Sequence, residues 1–175
     1  TLTEAELDKL RAEIGKIVFE PDGMVTLVTG TLDYGQGHST PFSQILAAQL
    51  GVPFEKIRLK QNDSDIVHTG GGTGGSRSIT ATGLAIVEAS ELVVAKGKQA
   101  AAHLMEAAES DIVFADGVFT IAGTDRSIGI MELSRRLLDG KMPDGLPTSL
   151  SVDHSSREVP STYPNGCHVA EVEID

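Results

Sequence analysis

The chain is nearly without cysteine: Cys167 stands alone among 175 residues. That excludes an internal disulfide, and it excludes an iron–sulfur cluster or a four-cysteine zinc site built from the chain's own thiols. Basic residues are scarce as well. Lys and Arg number 14 against 25 Asp and Glu, for a formal net charge of −11, and the cations are scattered rather than gathered into the stripe a phosphate backbone requires. Nucleic acid is therefore not expected as a partner. No apolar run reads as long enough to cross a bilayer and no charged-then-apolar leader opens the chain, so a soluble, cytoplasmic protein without a membrane partner is expected. None of the five histidines pair at i, i+4 spacing, which leaves no metal ligands to assign. A Walker lysine is missing, no Gly-x-Gly-x-x-Gly follows directly on a strand, and there is no Gly-x-Ser-x-Gly elbow. These absences set aside the usual nucleotide and hydrolase readings.

What the chain does have is an alternation of hairpin and helix signals. Thr3 with Glu6, and Leu2, Leu7, Leu10 and Ile14 at helical spacing, predict a capped helix over 3–14. KIVFEPDGMVTLVTG reads as two strands about a Pro21-Asp22-Gly23 turn. Ser39 or Thr40 can cap a helix that carries Pro41 in its first turn and stops at Gly51, and the strand KIRLK follows. An alanine-rich helix is predicted from 78 to about 110, then a hairpin on Asp116-Gly117 and a short helix over 127–138. A Gly- and Pro-rich surface segment over 140–164 leads into a last strand in CHVAEVEID, which would bury Cys167. The expected fold is a single α+β domain over 1–175, a mixed β-sheet with hairpins and helices packed on it.

Two glycine loops interrupt this pattern, GQGH over 35–38 and GGGTGGSRS over 70–78, each leading directly into a helix. Glycine lets backbone approach a ligand closely, and a helix N-terminus offers unpaired N–H groups and a positive dipole end. Both loops are candidate anion cradles. Ser76 and Ser78 add hydroxyls, and Gln36 carries an acceptor and two donors suited to the edge of a heterocycle. His38 reads as a loop histidine bonded to backbone, and Asp63 and Asp65 as an acidic surface loop.

Taken in order, GTLDYGQGHSTPFSQILAAQLGVPFEKIRL, QNDSD, GGGTGGSRS with its helix, and TYPNGCHVAEVEID closely resemble the molybdenum-binding large subunit of the xanthine dehydrogenase, aldehyde oxidase and carbon monoxide dehydrogenase family. The resemblance implies a molybdopterin cofactor, in its cytosine dinucleotide form, with FAD and 2Fe-2S centres on partner subunits or domains. It implies oxidative hydroxylation of an aldehyde, N-heterocycle or related small molecule, or oxidation of CO, with water as oxygen source. Residue by residue, it sets Gly35, Gln36 and Gly37 against the cofactor, and Gly74, Gly75, Ser76 and Ser78 around its phosphates and pterin. The family's catalytic glutamate follows a glycine near the end of the full subunit, and no Gly-Glu pair occurs here. The expectation is a fragment that holds part of the cofactor with the rest of the large subunit, carries no catalytic residue, and is inactive alone. The alternative is a freestanding phosphate-ligand-binding or assembly module.

Overall fold

The computed structural model describes residues 3, 12–68, 70–157, 159–163 and 165–174. The helix predicted over 3–14 falls almost wholly outside these. Its last two positions, Glu13 and Ile14, open a strand instead, because their backbone pairs with the chain far downstream.

Strand β1 (Glu13–Phe19) turns back into β2 (Val25–Thr29) in register Phe19↔Val25 to Gly15↔Thr29. The turn forms as its residues dictate: Gly23 takes φ +78° and the Asp22 carboxylate accepts the Met24 N–H at 3.0 Å. Helix α1 (Ser39–Leu50) crosses over to β3 (Ile57–Lys60), which lies parallel to β2. Gly51 closes α1 in the left-handed conformation, its N–H on the Ala47 carbonyl at 2.8 Å. Helix α2 (Ser78–Leu104) is the spine, burying Ile86, Ala89, Val93 and Ala100 along one face. Beyond it, β4 (Ile112–Ala115), β5 (Val118–Ile121) and β6 (Ser127–Gly129) form an antiparallel sheet, followed by α3 (Ile130–Asp139). A short β7 (Ser155–Ser156) completes a mixed sheet of order β3-β2-β1-β7. One core runs through both sheets, from Ile17, Leu27, Phe42 and Leu46 past α2 to Phe119, Ile130 and Leu133. The fold is the α+β arrangement expected.

Five details differ from the sequence reading. The long helix ends at Leu104 rather than near 110, because Glu106 turns left-handed at φ +53° and the Ala107 N–H reaches back to the Ala102 carbonyl at 2.9 Å. By length and apolar composition α2 could span a membrane, which the sequence reading denies of any run. Its buried face instead makes it the core helix of the domain. Ser127–Gly129 is strand, not helix, since β5 offers it an edge. The segment after Gly140 is not all surface: Leu150, Val152 and Val159 are buried, and Val152 exchanges main-chain bonds with Ile17 at 2.9 and 3.0 Å. The last predicted strand forms no ladder over 165–174; Val169, Val172 and Ile174 are exposed, and so is Cys167. Alternation makes a strand only where a neighbouring edge can pair with it, and the described residues provide none.

Candidate functional site

The two glycine loops meet. Leu32, in the loop after β2, donates its N–H to the Thr73 hydroxyl at 3.0 Å, and that hydroxyl donates to the Leu32 carbonyl at 2.5 Å. This reciprocal pair fastens the GQG loop to the GTGGS loop. One turn further in, Ile45 of α1 meets Gly83 of α2. Both helices therefore begin at the same end of the fold, side by side.

Inside the GQG loop the geometry is set by Asp33, a residue the sequence reading passes over. Its carboxylate accepts the N–H groups of Gly35 at 2.7 Å, His38 at 2.7 Å and Gly37 at 3.2 Å. These bonds, Gly35's first, hold the Asp33 carboxyl below the usual carboxylate range. The expectation of an anion cradle here is thus corrected: the chain's own carboxylate already fills the cradle. An aspartate two residues before the first glycine was the available signal, since Asp bonds local backbone N–H groups in turns.

Gln36 is exposed but not idle. Its Oε1 accepts the Tyr34 N–H at 2.6 Å, and its Nε2 donates to the Leu32 carbonyl at 3.0 Å and faces His38 Nε2 at 3.1 Å. His38 is buried against Phe42, with ring centroids 4.8 Å apart, and its bonded neighbours are two glutamines rather than the expected backbone. The second is Gln61, whose Nε2 lies 3.4 Å from His38 Nδ1 and 2.8 Å from both Thr29 and Thr31 hydroxyls.

The second loop is built differently. Helix α2 has Arg77 at its N-cap and no side chain capping it. The Ser78 hydroxyl donates to Thr73 at 3.4 Å. Ser39 and Thr40 do not cap α1, whose N-cap is His38. Ser76 stands at φ +52°, a conformation a non-glycine residue adopts at a cost of about 1 kcal/mol or more. It is held there by the segment over 161–162: the Thr162 hydroxyl donates to the Ser76 carbonyl, and the Thr162 N–H to the Gly75 carbonyl at 3.2 Å. Gly75 lies against Ser161, whereas Gly74, like Gly35 and Gly37, has nothing within 4 Å of where a Cβ would stand. A cleft of about 270 Å³ lined by Gly30, Leu32, Asn62, Asp63, Ser64 and Val67 opens beside the Leu32–Thr73 junction. The Asp63 carboxylate of that acidic loop accepts the Asp65 N–H at 3.1 Å.

Beneath the junction lies Glu13, also missed in the sequence. Only 3 % exposed, it accepts the Gly30 N–H at 2.7 Å. Burial pushes its carboxyl up to about 7, against the opposing pull of bonds from Gly30, Thr31, the Thr82 hydroxyl and Gly71. No signal marks Glu13 in the sequence, because the partners that bury it come from separate segments.

These residues suit a ligand with a phosphate and a polar heterocycle. The first N–H groups of α2 are left uncapped, Ser76 and Ser78 stand beside them, and open glycine flanks let a large group come close. Exposed Gln36 adds an amide at the adjoining loop.

Comparison with known proteins identifies the family. Residues 2–175 match the family described as the molybdopterin cofactor-binding domain. The chain is 34% identical over 160 residues to the carbon monoxide dehydrogenase large chain of Hydrogenophaga pseudoflava, covering 91% of this chain and 20% of that one. It is 30% identical over 162 residues to the nicotine 6-hydroxylase large subunit of Paenarthrobacter nicotinovorans, again covering 91% of this chain and 20% of the relative. The crystal structure of a Cu,Mo-CO dehydrogenase in its carbon monoxide reduced state superposes with a TM-score of 0.80 at 29% identity, over 87% of this chain and 19% of that one. The chain thus spans about a fifth of the length of these relatives. On sequence and fold together, the chain belongs to the molybdopterin cofactor-binding domain family.

Proposed function

We propose that this chain is the part of a molybdenum hydroxylase large subunit that grips one side of a molybdopterin cofactor. The GQG loop, Gly35, Gln36 and Gly37, meets the pterin side; the GTGGS loop, Gly74, Gly75, Ser76 and Ser78, meets the phosphates and the adjoining pterin. The observation that carries this reading is the uncapped N-terminus of a 27-residue helix, tied to the Gln36 loop by the Leu32–Thr73 pair. A helix start without a side-chain cap suits a phosphate, and it does so beside Gln36, whose amide suits a heterocycle.

Asp33 has a supporting role. By taking the N–H groups of Gly35, Gly37 and His38 it fixes the loop's backbone, so that the loop itself needs no ordering when the cofactor arrives. When bound, the cofactor supplies the redox chemistry, hydroxylation of a small molecule with oxygen from water. The chain's residues bind and orient. Relatives named for carbon monoxide and for nicotine support a small-molecule substrate of that breadth. The rest of the large subunit, with FAD and 2Fe-2S on partner subunits or domains, completes the electron path in this reading, in the cytoplasm.

The test is chemical. Acid hydrolysis of the purified complete subunit should release CMP and pterin in equal amounts, as the cytosine dinucleotide form requires. Pterin without a nucleotide, or with a purine nucleotide, would overturn the assignment of the dinucleotide. Absence of pterin altogether would overturn the reading itself.

A further inference from the structure

A file of hydrogen-bonding groups connects Glu13 to Gln36. The Thr82 hydroxyl bonds the Glu13 carboxyl, Thr82 lies 3.3 Å from the Thr31 hydroxyl, and Thr31 lies 2.8 Å from the Gln61 amide and 3.2 Å from Thr29. Gln61 reaches His38 Nδ1 at 3.4 Å, and His38 Nε2 lies 3.1 Å from Gln36. Glu13, Thr29, Thr31, Thr82 and His38 are all buried. Only the last member, Gln36, is exposed.

The file contains one mismatch, and it falls on His38. An amide nitrogen stands at each ring nitrogen, yet a neutral imidazole accepts at one nitrogen and donates at the other. One glutamine has to turn. The orientation of Gln36 is pinned by the Tyr34 N–H on its oxygen and the Leu32 carbonyl on its nitrogen. If Gln36 stays, His38 Nε2 is bare, Nδ1 carries the proton, and Gln61 turns its oxygen to receive hydrogens from Nδ1 and Thr31. Thr31 then accepts from Thr82, and Thr82 accepts from a protonated Glu13. If Glu13 is ionised, every hydrogen points the other way. Thr82 donates to the carboxylate, Thr31 to Thr82, and the Gln61 nitrogen to Thr31, so that Nε2–H confronts the Gln36 nitrogen, donor against donor. Gln36 is then displaced from its loop.

We infer that Glu13 is a positioning residue for Gln36, and that the direction of this hydrogen-bond file decides whether Gln36 is kept within its loop or released toward the cofactor. The inference rests on the proposed contact between Gln36 and the cofactor. Glu13 titrates close to neutrality, so the file reverses within the physiological range. The elements packed on Glu13 face it with uncharged groups: Gly30 and Thr31 after β2, Gly71, Thr82 of α2 and Ser156 of β7. Of the charged side chains elsewhere on β1 and α2, Lys16 pairs with Asp153 at 3.3 Å, and Glu88 hydrogen-bonds the His154 ring at 2.7 Å. In sequence, uncharged Ala12 precedes Glu13, and Arg157 follows its strand partner Ser156.

The experiment uses the complete cofactor-loaded subunit labelled with 15N-histidine. Imidazole 15N shifts report the His38 tautomer, and the rate at which pterin is lost on dilution reports the grip, both followed from about pH 5.5 to about pH 8.5. The expected result is a change from Nδ1–H to Nε2–H as pH rises through neutrality, accompanied by slower pterin loss of about tenfold, the worth of one hydrogen bond. Both steps should vanish in Glu13→Gln. They should vanish also in Thr82→Val, which keeps the shape of the core but cuts the file, should Glu13→Gln fail to fold. An unchanged tautomer step in either variant would overturn the inference. Gln36→Ala separates the two proposals: faster pterin loss with no effect of Glu13→Gln sinks only the file, whereas unaltered pterin loss in Gln36→Ala sinks the cofactor contact as well.

Discussion

Gly97 and Gly74 both lack a side chain, but what stands beside each differs. At Gly97, in the middle of α2, an added Cβ would run into the Phe119 ring. At Gly74, in the loop before the same helix, nothing lies within 4 Å. The first space is filled by the protein and the second is left open. Glycine in the core therefore lets the second sheet sit tightly on α2, while glycine in the loops lets something foreign approach. The same contrast runs through the two regions. The core end hides its groups among apolar neighbours, and the loop end leaves a helix start uncapped beside an exposed amide.

The comparison can be broken most forcefully at Phe119. Truncation to Ala should cost about 3–5 kcal/mol in urea unfolding, since a fully buried ring leaves a large cavity. In that background Gly97→Ala should no longer be harmful and should gain up to about 1 kcal/mol of helix propensity. A double-mutant cycle checks the coupling.

Glu13 stands between the two regions and gives the next effect. Its folded carboxyl is raised from 4.5 to about 7, so the folded state holds a proton the unfolded state has lost. That contribution is fully present below about pH 4.5 and disappears as pH rises through 7. Unfolding at pH 5 and pH 8 should show the wild type losing on the order of 3 kcal/mol that Glu13→Gln does not lose. A parallel decline in both proteins would mean that the pH dependence arises elsewhere.

Gly97→Ala alone comes third, at about 1–3 kcal/mol, because the clash with Phe119 exceeds the gain in propensity. Gly74→Ala is the smallest for stability, within about 0.5 kcal/mol. Its backbone does not need a left-handed φ, so the added methyl strains nothing in the chain itself.

Local chemistry made much of this legible beforehand. The Pro21-Asp22-Gly23 turn, the Gly51 stop of α1 and the Asp116-Gly117 hairpin follow from residues next to one another, and each appears where expected. Tertiary pairing decided the rest. Ser127–Gly129 became strand because β5 lies beside it, Leu150 and Val152 were drawn into the core by β1 and α2, and 165–174 found no partner among the described residues. In the site, the glycine loops announced themselves. Asp33, Gln61, Thr73 and Glu13 did not, since their meaning lies in contacts with residues far away in the chain, as between Glu13 and Thr82, or in backbone N–H groups that a motif search does not weigh.

The most direct test of the central claim, that the open loop end grips the cofactor, is the pterin content per polypeptide of the complete subunit carrying Gly74→Ala, measured beside its Tm. The account predicts that the cofactor-free forms of variant and wild type melt within about 1 °C of each other and that the variant has lost most of the pterin. Full pterin content at unchanged Tm would contradict it.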